Sequence, residues 1–311
     1  KEYGAITPVK GDFEILARDN YGGVLVRERA AGAADELLPA IKKEAGDFEE
    51  LRRLTQTQAD EAARLQGIEP PKITLDPMFS KEEAADAAGA QVKAVKEYAA
   101  LKEKYLARQA VPDKAGGFKQ VLLNTDDWRE IAFPVLNKGF NAEVTHEGAS
   151  ILNNRLLTEV SEMQKGKGNN TVLIIAGGGG SGKTSAVKNV LKDKYLEYPI
   201  VLDQVSAHET KLAEKVKIAK KAGYKAAMVF VDMDPKAAFE NVVGRVKRLL
   251  DAGEKPRTVN VARAVPDNYG ARIVARNAKN LGLDEYMTLN NNLGKGFERL
   301  VEGEEAEKLL S

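Results

Sequence analysis

Thr171 to Val187 reads TVLIIAGGGGSGKTSAV. An apolar run, Val172 to Ile175, breaks into four consecutive glycines and then Ser181-Gly182-Lys183-Thr184, so the interval from Gly177 to Thr184 satisfies G-x-x-x-x-G-K-[ST]. The spacing has a physical reason. Glycines let successive backbone N–H groups turn inward around a polyphosphate, and a helix opening near Gly182 adds unpaired N-terminal donors and its dipole. In such a phosphate-binding loop Gly177, Gly178, Gly179, Gly180, Ser181, Gly182, Lys183, Thr184 and Ser185 line the nucleotide. Lys183 reaches the terminal phosphates, and the Thr184 hydroxyl ligates the accompanying metal ion. ATP or GTP with magnesium is therefore the expected cofactor. Four glycines in a row also raise the ordering cost of the loop.

Working outward, the strand before the loop is fed by a helix with Leu152, Leu156, Val160 and Met163 on one side, closing at Gly166 and Gly168. After the loop helix, Ile200-Val201-Leu202 forms a short strand that ends on Asp203. Ser206 to Glu209 has the form of a capping box, and its helix runs to Ala222-Gly223. Ala226 to Val231 is a third strand. Asp234-Pro235 opens a helix predicted to bury Phe239, Val242, Val243, Val246, Leu249 and Leu250 and to stop at Gly253. A polar segment, Glu254 to Asn268, then precedes a helix to about Asn280 and a last strand from Glu285 to Leu289. This alternation predicts an α/β fold: a P-loop NTPase-type parallel sheet, covered by helices on both faces, with ligands at the carboxyl ends of its strands.

The N-terminal part reads differently. Phe13 and Ile15 alternate, Asp19 to Gly23 supply turn chemistry, and Val24 and Val26 alternate on the return, which predicts a small β-hairpin. A charged helix with an interrupted apolar face (Ile41, Phe48, Leu51, Leu54, Ala62, Leu65) follows, ending at Gly67 and Pro70-Pro71, so residues 67–72 read as a linker. Ser80-Lys81-Glu82-Glu83 is a capping box opening an alanine-rich helix to about Ala110. No catalytic constellation stands out in this stretch. Residues 1–115 therefore form an accessory or docking region, and 116–311 the domain that carries the chemistry.

Composition narrows the classes. Lys and Arg number 47 against 46 Asp and Glu, so no long-range field favours nucleic acid or an anionic membrane. With no cysteine and two histidines, thiol catalysis, thiolate metal sites and histidine-rich metal centres are excluded. No apolar stretch approaches the roughly 20 residues of a membrane span. No charged-then-apolar leader opens the chain, so cytoplasmic chemistry is the expectation, and a first residue other than methionine points to a piece of a longer polypeptide.

Phosphoryl transfer needs neutralised charge, a positioned acceptor oxygen and usually a carboxylate to take its proton. Arg245 and Arg248 on the helix from Asp234, and Arg257 and Arg263 beyond it, are the candidate lid arginines. Three carboxylate positions compete for the base. Asp203 ends the strand after the loop helix; Asp126 and Asp127 follow Leu123, with Arg129 nearby; Asp232 ends the run Met228 to Val231, where it imitates a magnesium-holding acid or caps the next helix. His146 reads as a packed or substrate-side residue, His208 as solvated, and Trp128 as core.

Together these features resemble the zeta-toxin family of P-loop kinases, especially versions embedded in mobile-element, phage and effector proteins. The resemblance covers about 118–292. It rests on Asp127-x-Arg129, Thr145-His146-Glu147-Gly148-Ala149-Ser150, Ala176 to Thr184, Ile200 to Asp203, Ala222-Gly223-Tyr224, Asp234-Pro235, Arg245 and Arg257-Thr258-Val259. It implies transfer of the γ-phosphate of a nucleoside triphosphate to a hydroxyl of a small nucleotide-type metabolite, a UDP-sugar or NAD. By resemblance Lys183 and Thr184 take nucleotide and magnesium, Asp203 activates the acceptor, and Arg245 and Arg257 stabilise transferred charge. Asp126, Asp127, Arg129 and His146 fall on the substrate side. A toxin or effector of this kind implies an antitoxin or inhibitory protein as partner. The chain departs from the pattern: Asp203 stands in a plain run, Leu202-Asp203-Gln204-Val205, the acidic run Asn124 to Arg129 precedes the loop, and the region between Asp203 and the next strand is short for a complete sugar-nucleotide pocket. Two alternatives stay open beside the kinase: a nucleotide-dependent switch or assembly module without transfer, and a polynucleotide hydroxyl kinase, against which the balanced charge argues.

Overall fold

The computed structural model describes residues 13–18, 24–28, 34–77, 79–137, 140–166, 169–253, 261–292 and 297–310, with side chains described from 48 onward apart from 140–142 and 261–265. The chain opens with strands β1 (Phe13–Arg18) and β2 (Val24–Glu28), an antiparallel pair. Helices α1 (Ala34–Leu65), α2 (Lys81–Lys96) and α3 (Tyr98–Gln109) follow, then β3 (Ala110–Pro112), β4 (Phe118–Asn124), α4 (Thr125–Ala132) and α5 (His146–Met163). The second half alternates: β5 (Thr171–Ala176), α6 (Lys183–Leu191), β6 (Ile200–Asp203), α7 (Glu209–Lys221), β7 (Lys225–Asp232), α8 (Pro235–Asp251), α9 (Val261–Arg276) and β8 (Glu285–Asn290). β9 (Arg299–Val301) and α10 (Gly303–Leu310) close it.

Seven strands form one sheet in the order β3-β4-β6-β5-β7-β8-β9. The inner five are parallel, and β3 and β9 are antiparallel edges. All of β5 is buried, which is why it reads as an unbroken apolar run. Its side chains alternate between two cores: Val172, Ile174 and Ala176 join Leu152, Leu156 and Val216 on one face, and Leu173 and Ile175 join Ala186 and Val187 of α6 on the other. Both faces are therefore covered by helices, and the fold is α/β.

The helices ahead of β4 share that core. Tyr98, Leu101 and Tyr105 of α3 lie in one cluster with Val121, Leu123 and Trp128. The Tyr105 ring stacks on Trp128 at 4.0 Å between centroids and 16° between planes, and its hydroxyl accepts from the Asn124 N–H at 2.8 Å. The boundary expected at 115 falls in the turn between β3 and β4, which are paired through Ala110 and Val121. The segment expected as a linker has no regular secondary structure and, with the residues after it, is strapped to the helices beside it. Gln56 donates to the Pro71 carbonyl at 2.9 Å and accepts from Ile73 N–H at 2.8 Å, and Gln91 exchanges bonds with Thr74 at 2.7 and 3.1 Å.

Several local expectations change. The Ser80 capping box forms, with Ser80 and Glu83 bonded reciprocally at 2.8 and 3.2 Å, but its helix breaks at Glu97 into α2 and α3, the second of which turns Tyr98, Leu101 and Tyr105 inward. In α1 the buried side carries Ala59, Ala62 and Ala63, leaving Leu54 and Leu65 exposed. The capping box at Ser206 does not form: Ser206 takes a left-handed backbone, φ 53°, and α7 starts after His208. In α8, Val243 and Leu250 are exposed, because its close approach is made by Ala238 and Val242 against Gly180. α9 begins at Val261, earlier than expected, with Pro266 inside it at the loss of one helical N–H.

Trp128 is fully buried, and its indole N–H has no hydrogen-bond partner among the described residues. Trp128→Ala should cost about 3–5 kcal/mol in urea unfolding followed by far-UV circular dichroism. Trp128→Phe, which keeps a stacked ring and removes the unpaired donor, should cost clearly less; equal losses would contradict the stacking account.

Candidate functional site

The parallel strands bring their carboxyl ends to one edge. Asn124 at the end of β4 lies beside Asp203 at the end of β6, Asp203 lies beside Ile175 of β5, and Asp232 lies beside Asn290. The loop Gly177 to Gly182 leaves this edge between β6 and β7 and runs straight into α6.

Its carbonyls are tied to the protein one after another. Gly178 O accepts from Ser181 Oγ at 2.9 Å and from Lys183 Nζ at 3.0 Å. Gly179 O accepts from Asn268 Nδ2 at 3.4 Å, Gly180 O from Asn241 Nδ2 at 3.1 Å, and Ser181 O from Asn291 Nδ2 at 2.7 Å. In a trans peptide the C=O and the following N–H point to opposite sides. Tying these oxygens to the protein therefore turns the N–H groups of residues 179–182 the other way, although Ser181 N–H also leans on Gly178 O at 3.3 Å. Such a row of amides at a helix start is an anion cradle. The packing also explains the glycines. A β-carbon at Gly180, whose φ is 81°, would run into the Ala238 carbonyl, and one at Gly178 would meet the Asn268 amide. Asn241, Asn268 and Asn291 escape the sequence reading; the one visible hint is the run Asn290-Asn291-Asn292 after an apolar strand.

Inside this cradle, burial lowers the pKa of the Lys183 amine; Asp203 and Asp126 pull it back up, and Arg245, exposed on α8, pushes it down again. Those three charges therefore lie within electrostatic reach of Lys183. The Thr184 hydroxyl donates to the buried Asp203 carboxylate. The pair is a set of hard oxygen donors that suits magnesium. Among the described residues no group of three or more His, Cys, Asp or Glu could hold an ion, so magnesium here would need phosphate and water oxygens to complete its shell.

The other expected residues divide. Arg129 is buried; its Nε donates to Thr145 Oγ1 at 3.0 Å, and its guanidinium lies 3.7 Å from Asp126 and 3.5 Å from Glu143. It thus clamps the start of α4 to the start of α5. His146, the first residue of α5, is held below its ordinary pKa by burial, partly offset by Glu147, so its ring is neutral at pH 7. Asp127 lies 3.9 Å from Arg108 of α3. Burial pushes its carboxyl up to about 6, against the pull of Arg108 and with help from Glu130, Asp126 and Asp203. Asp232 is fully buried, 2.9 Å from Arg272 Nε, and accepts from Asn292 Nδ2 at 2.8 Å; it anchors α9 to the sheet, while Asp234 caps α8 through Ala237 N–H at 3.0 Å. Arg257 lies outside the described residues, as does the side chain of Arg263.

The Asp127 carboxyl near 6 stands above its unfolded value of 3.8, so the folded state binds this proton more tightly. Stability from this group is present below pH 4 and is lost as pH rises through about 6. Asp127→Asn should therefore be more stable than wild type by roughly 1–3 kcal/mol at pH 7.5, with the gain gone below pH 4. Urea unfolding at both pH values checks this, and a destabilised variant at pH 7.5 would contradict it.

No protein-family model matches this chain, and no curated protein matches it. Among solved structures it is similar to one from the PezAT chromosomal toxin–antitoxin system of the human pathogen Streptococcus pneumoniae. The two are 10% identical over 70% of this chain and 73% of that chain, with a TM-score of 0.38. At that distance the similarity transfers neither activity nor partners.

Proposed function

We propose that the chain is a magnesium-dependent phosphotransferase of the zeta-toxin type, moving the γ-phosphate of ATP or GTP to a hydroxyl of a small nucleotide-type metabolite. The observation that carries the reading is the glycine loop, whose peptide oxygens from Gly178 to Ser181 are held by protein donors. Apart from the Ser181 N–H, which leans on Gly178 O, its amides are left to a polyphosphate, with Lys183, Thr184 and three carboxylates at the same sheet edge.

In this reading residues Gly177 to Ser185 bind the phosphates through their amides. Lys183 gives up its bond to the Gly178 carbonyl for the terminal phosphates, whose negative charge favours the ammonium form that burial disfavours. Thr184 and Asp203 hold the magnesium ion, which supplies neutralisation of the developing phosphate charge. By the family resemblance, Arg245 and Arg257 would stabilise the charge on the transferred group. A carboxylate among Asp203, Asp126 and Asp127 takes the acceptor proton. The toxin or effector role, with an antitoxin or inhibitory partner, is the finer form of the same proposal.

The test is incubation of the chain with γ-labelled ATP or GTP, magnesium and a metabolite extract, read by mass spectrometry, with Lys183→Ala in parallel. Label is expected on a metabolite with wild type, and Lys183→Ala should lower the rate on the order of a hundredfold or more. Label appearing only as inorganic phosphate would favour the nucleotide-switch reading. Full turnover by Lys183→Ala would overturn the mechanism.

A further inference from the structure

A cavity of about 530 Å³ lies between α9 and α10, with β8 and β9 as its floor. Its place follows from the sheet. Tyr286 and Thr288 of β8 pair with Met228 and Phe230 of β7, so they share the face that α9 covers through Ala271, Val274 and Ala275. Val301 of β9 pairs with Thr288, and α10 returns over it with Leu310 in the same core. The two helices line the gap with small residues, Ala275 on one and Gly303 and Ala306 on the other. A β-carbon built on Gly303 would meet nothing within 4 Å. Protein interiors leave few voids larger than a water molecule, whereas sites for small molecules run from roughly 300 to 1,000 Å³.

The lining is sorted by chemistry. On the floor the Thr288 hydroxyl, 1% exposed, donates to the Tyr286 oxygen at 3.0 Å. Two hydroxyls that share one hydrogen bond keep one O–H to give. On the α9 side stand Arg276, the last residue of that helix, and Lys279 in the 3-10 turn Ala278–Leu281 that follows. On the α10 side stand Glu302 and Glu307. All four are exposed, as groups at a rim are. Below them Ala306 and Leu310, on the same side of α10 as Glu307, give an apolar wall. A phosphate would meet the two acids as well as the cations, and a polyamine the cations as well as the acids. A molecule with one negative and one positive end meets each rim with the opposite sign.

We propose that this cavity binds a free α-amino acid with a large apolar side chain. Its carboxylate pairs with Arg276 and Lys279, and its ammonium with Glu302 and Glu307. Its side chain lies against Ala275, Ala306 and Leu310, and the spare O–H of the floor gives the carboxylate a further donor. The site shares no residue with the phosphate loop. From Thr288 the strand runs on to Asn291, which holds Ser181, and α9 runs back to Arg272 and Asn268, which meet Asp232 and Gly179. Cavity and loop thus stand at two ends of the same pair of elements, and the proposal does not rest on the phosphotransferase reading.

The experiment titrates the full chain by isothermal calorimetry with L-phenylalanine, 3-phenylpropanoate and 2-phenylethylamine; the last two keep the ring and only one of the charges. Wild type, Lys279→Glu and Ala306→Trp are compared, and the melting midpoint of each is recorded. Phenylalanine should bind wild type saturably, and each analogue about tenfold more weakly, because each forfeits a charge-assisted contact. Lys279→Glu should weaken phenylalanine by about tenfold and leave 2-phenylethylamine unweakened. Ala306→Trp fills the cavity, so it should abolish binding while keeping or raising the midpoint. If phenylalanine does not bind wild type, or binds Ala306→Trp as tightly, the site is overturned. If either analogue binds as tightly as phenylalanine, or Lys279→Glu leaves phenylalanine unchanged, the assignment of a zwitterion is overturned. Lys279 is exposed, so that variant keeps the test in force should Ala306→Trp fail to fold.

Discussion

Each peptide group between Gly178 and Gly182 has two polar edges, and only one of them is available to anything bound at the loop. The fold around the site is arranged to take up the other. The amide donors come from α8, α9 and the chain after β8, three elements that meet because β7 lies beside β5 and β8 beside β7 in the sheet. A flexible glycine run is thereby given fixed oxygen partners, which offsets part of the ordering cost that four glycines impose. The order of strands, the close seat of α8 at Ala238 and the tether of α9 through Arg272 and Asp232 all serve this one requirement.

Electrostatics at the same edge follows from burial more than from net charge. The chain is nearly neutral, yet Asp203, Asp126 and Arg245 all act on the buried amine of Lys183. In a poorly solvated cleft such interactions are stronger than on an exposed surface. The carboxylates differ by partner: one bonded to a hydroxyl, one beside a buried guanidinium, one loosely held by a shared arginine. Similar residues within a short span of space thus acquire different chemistry from their second neighbours.

What was legible in the sequence was local. The strand–loop–helix around Gly177 to Thr184, the alternation after it and the capping box at Ser80 all depend on residues within one or two turns of each other, and all appear in the structure. The asparagines that hold the loop lie 61, 89 and 110 residues from the carbonyls they serve, and asparagine has no periodic signature to announce such a role. Ser206 fits a capping pattern by residue type, but its left-handed backbone is set by the loop it belongs to. The apolar stripe of α8 has helical spacing, yet which side of it is buried depends on the glycine it must approach. The membership of α3 in the main core rests on a ring stack between residues far from the motif.

The strap between α1 and α2 has a consequence for hydrogen exchange. Ile73 and Thr74 lie outside any helix or strand, but their N–H groups are bonded to the side chains of Gln56 and Gln91. Ile73 is also fully buried. These two amides exchange with solvent only when α1 and α2 part, so a stretch without regular structure reports the cooperative opening of the helix pair beside it.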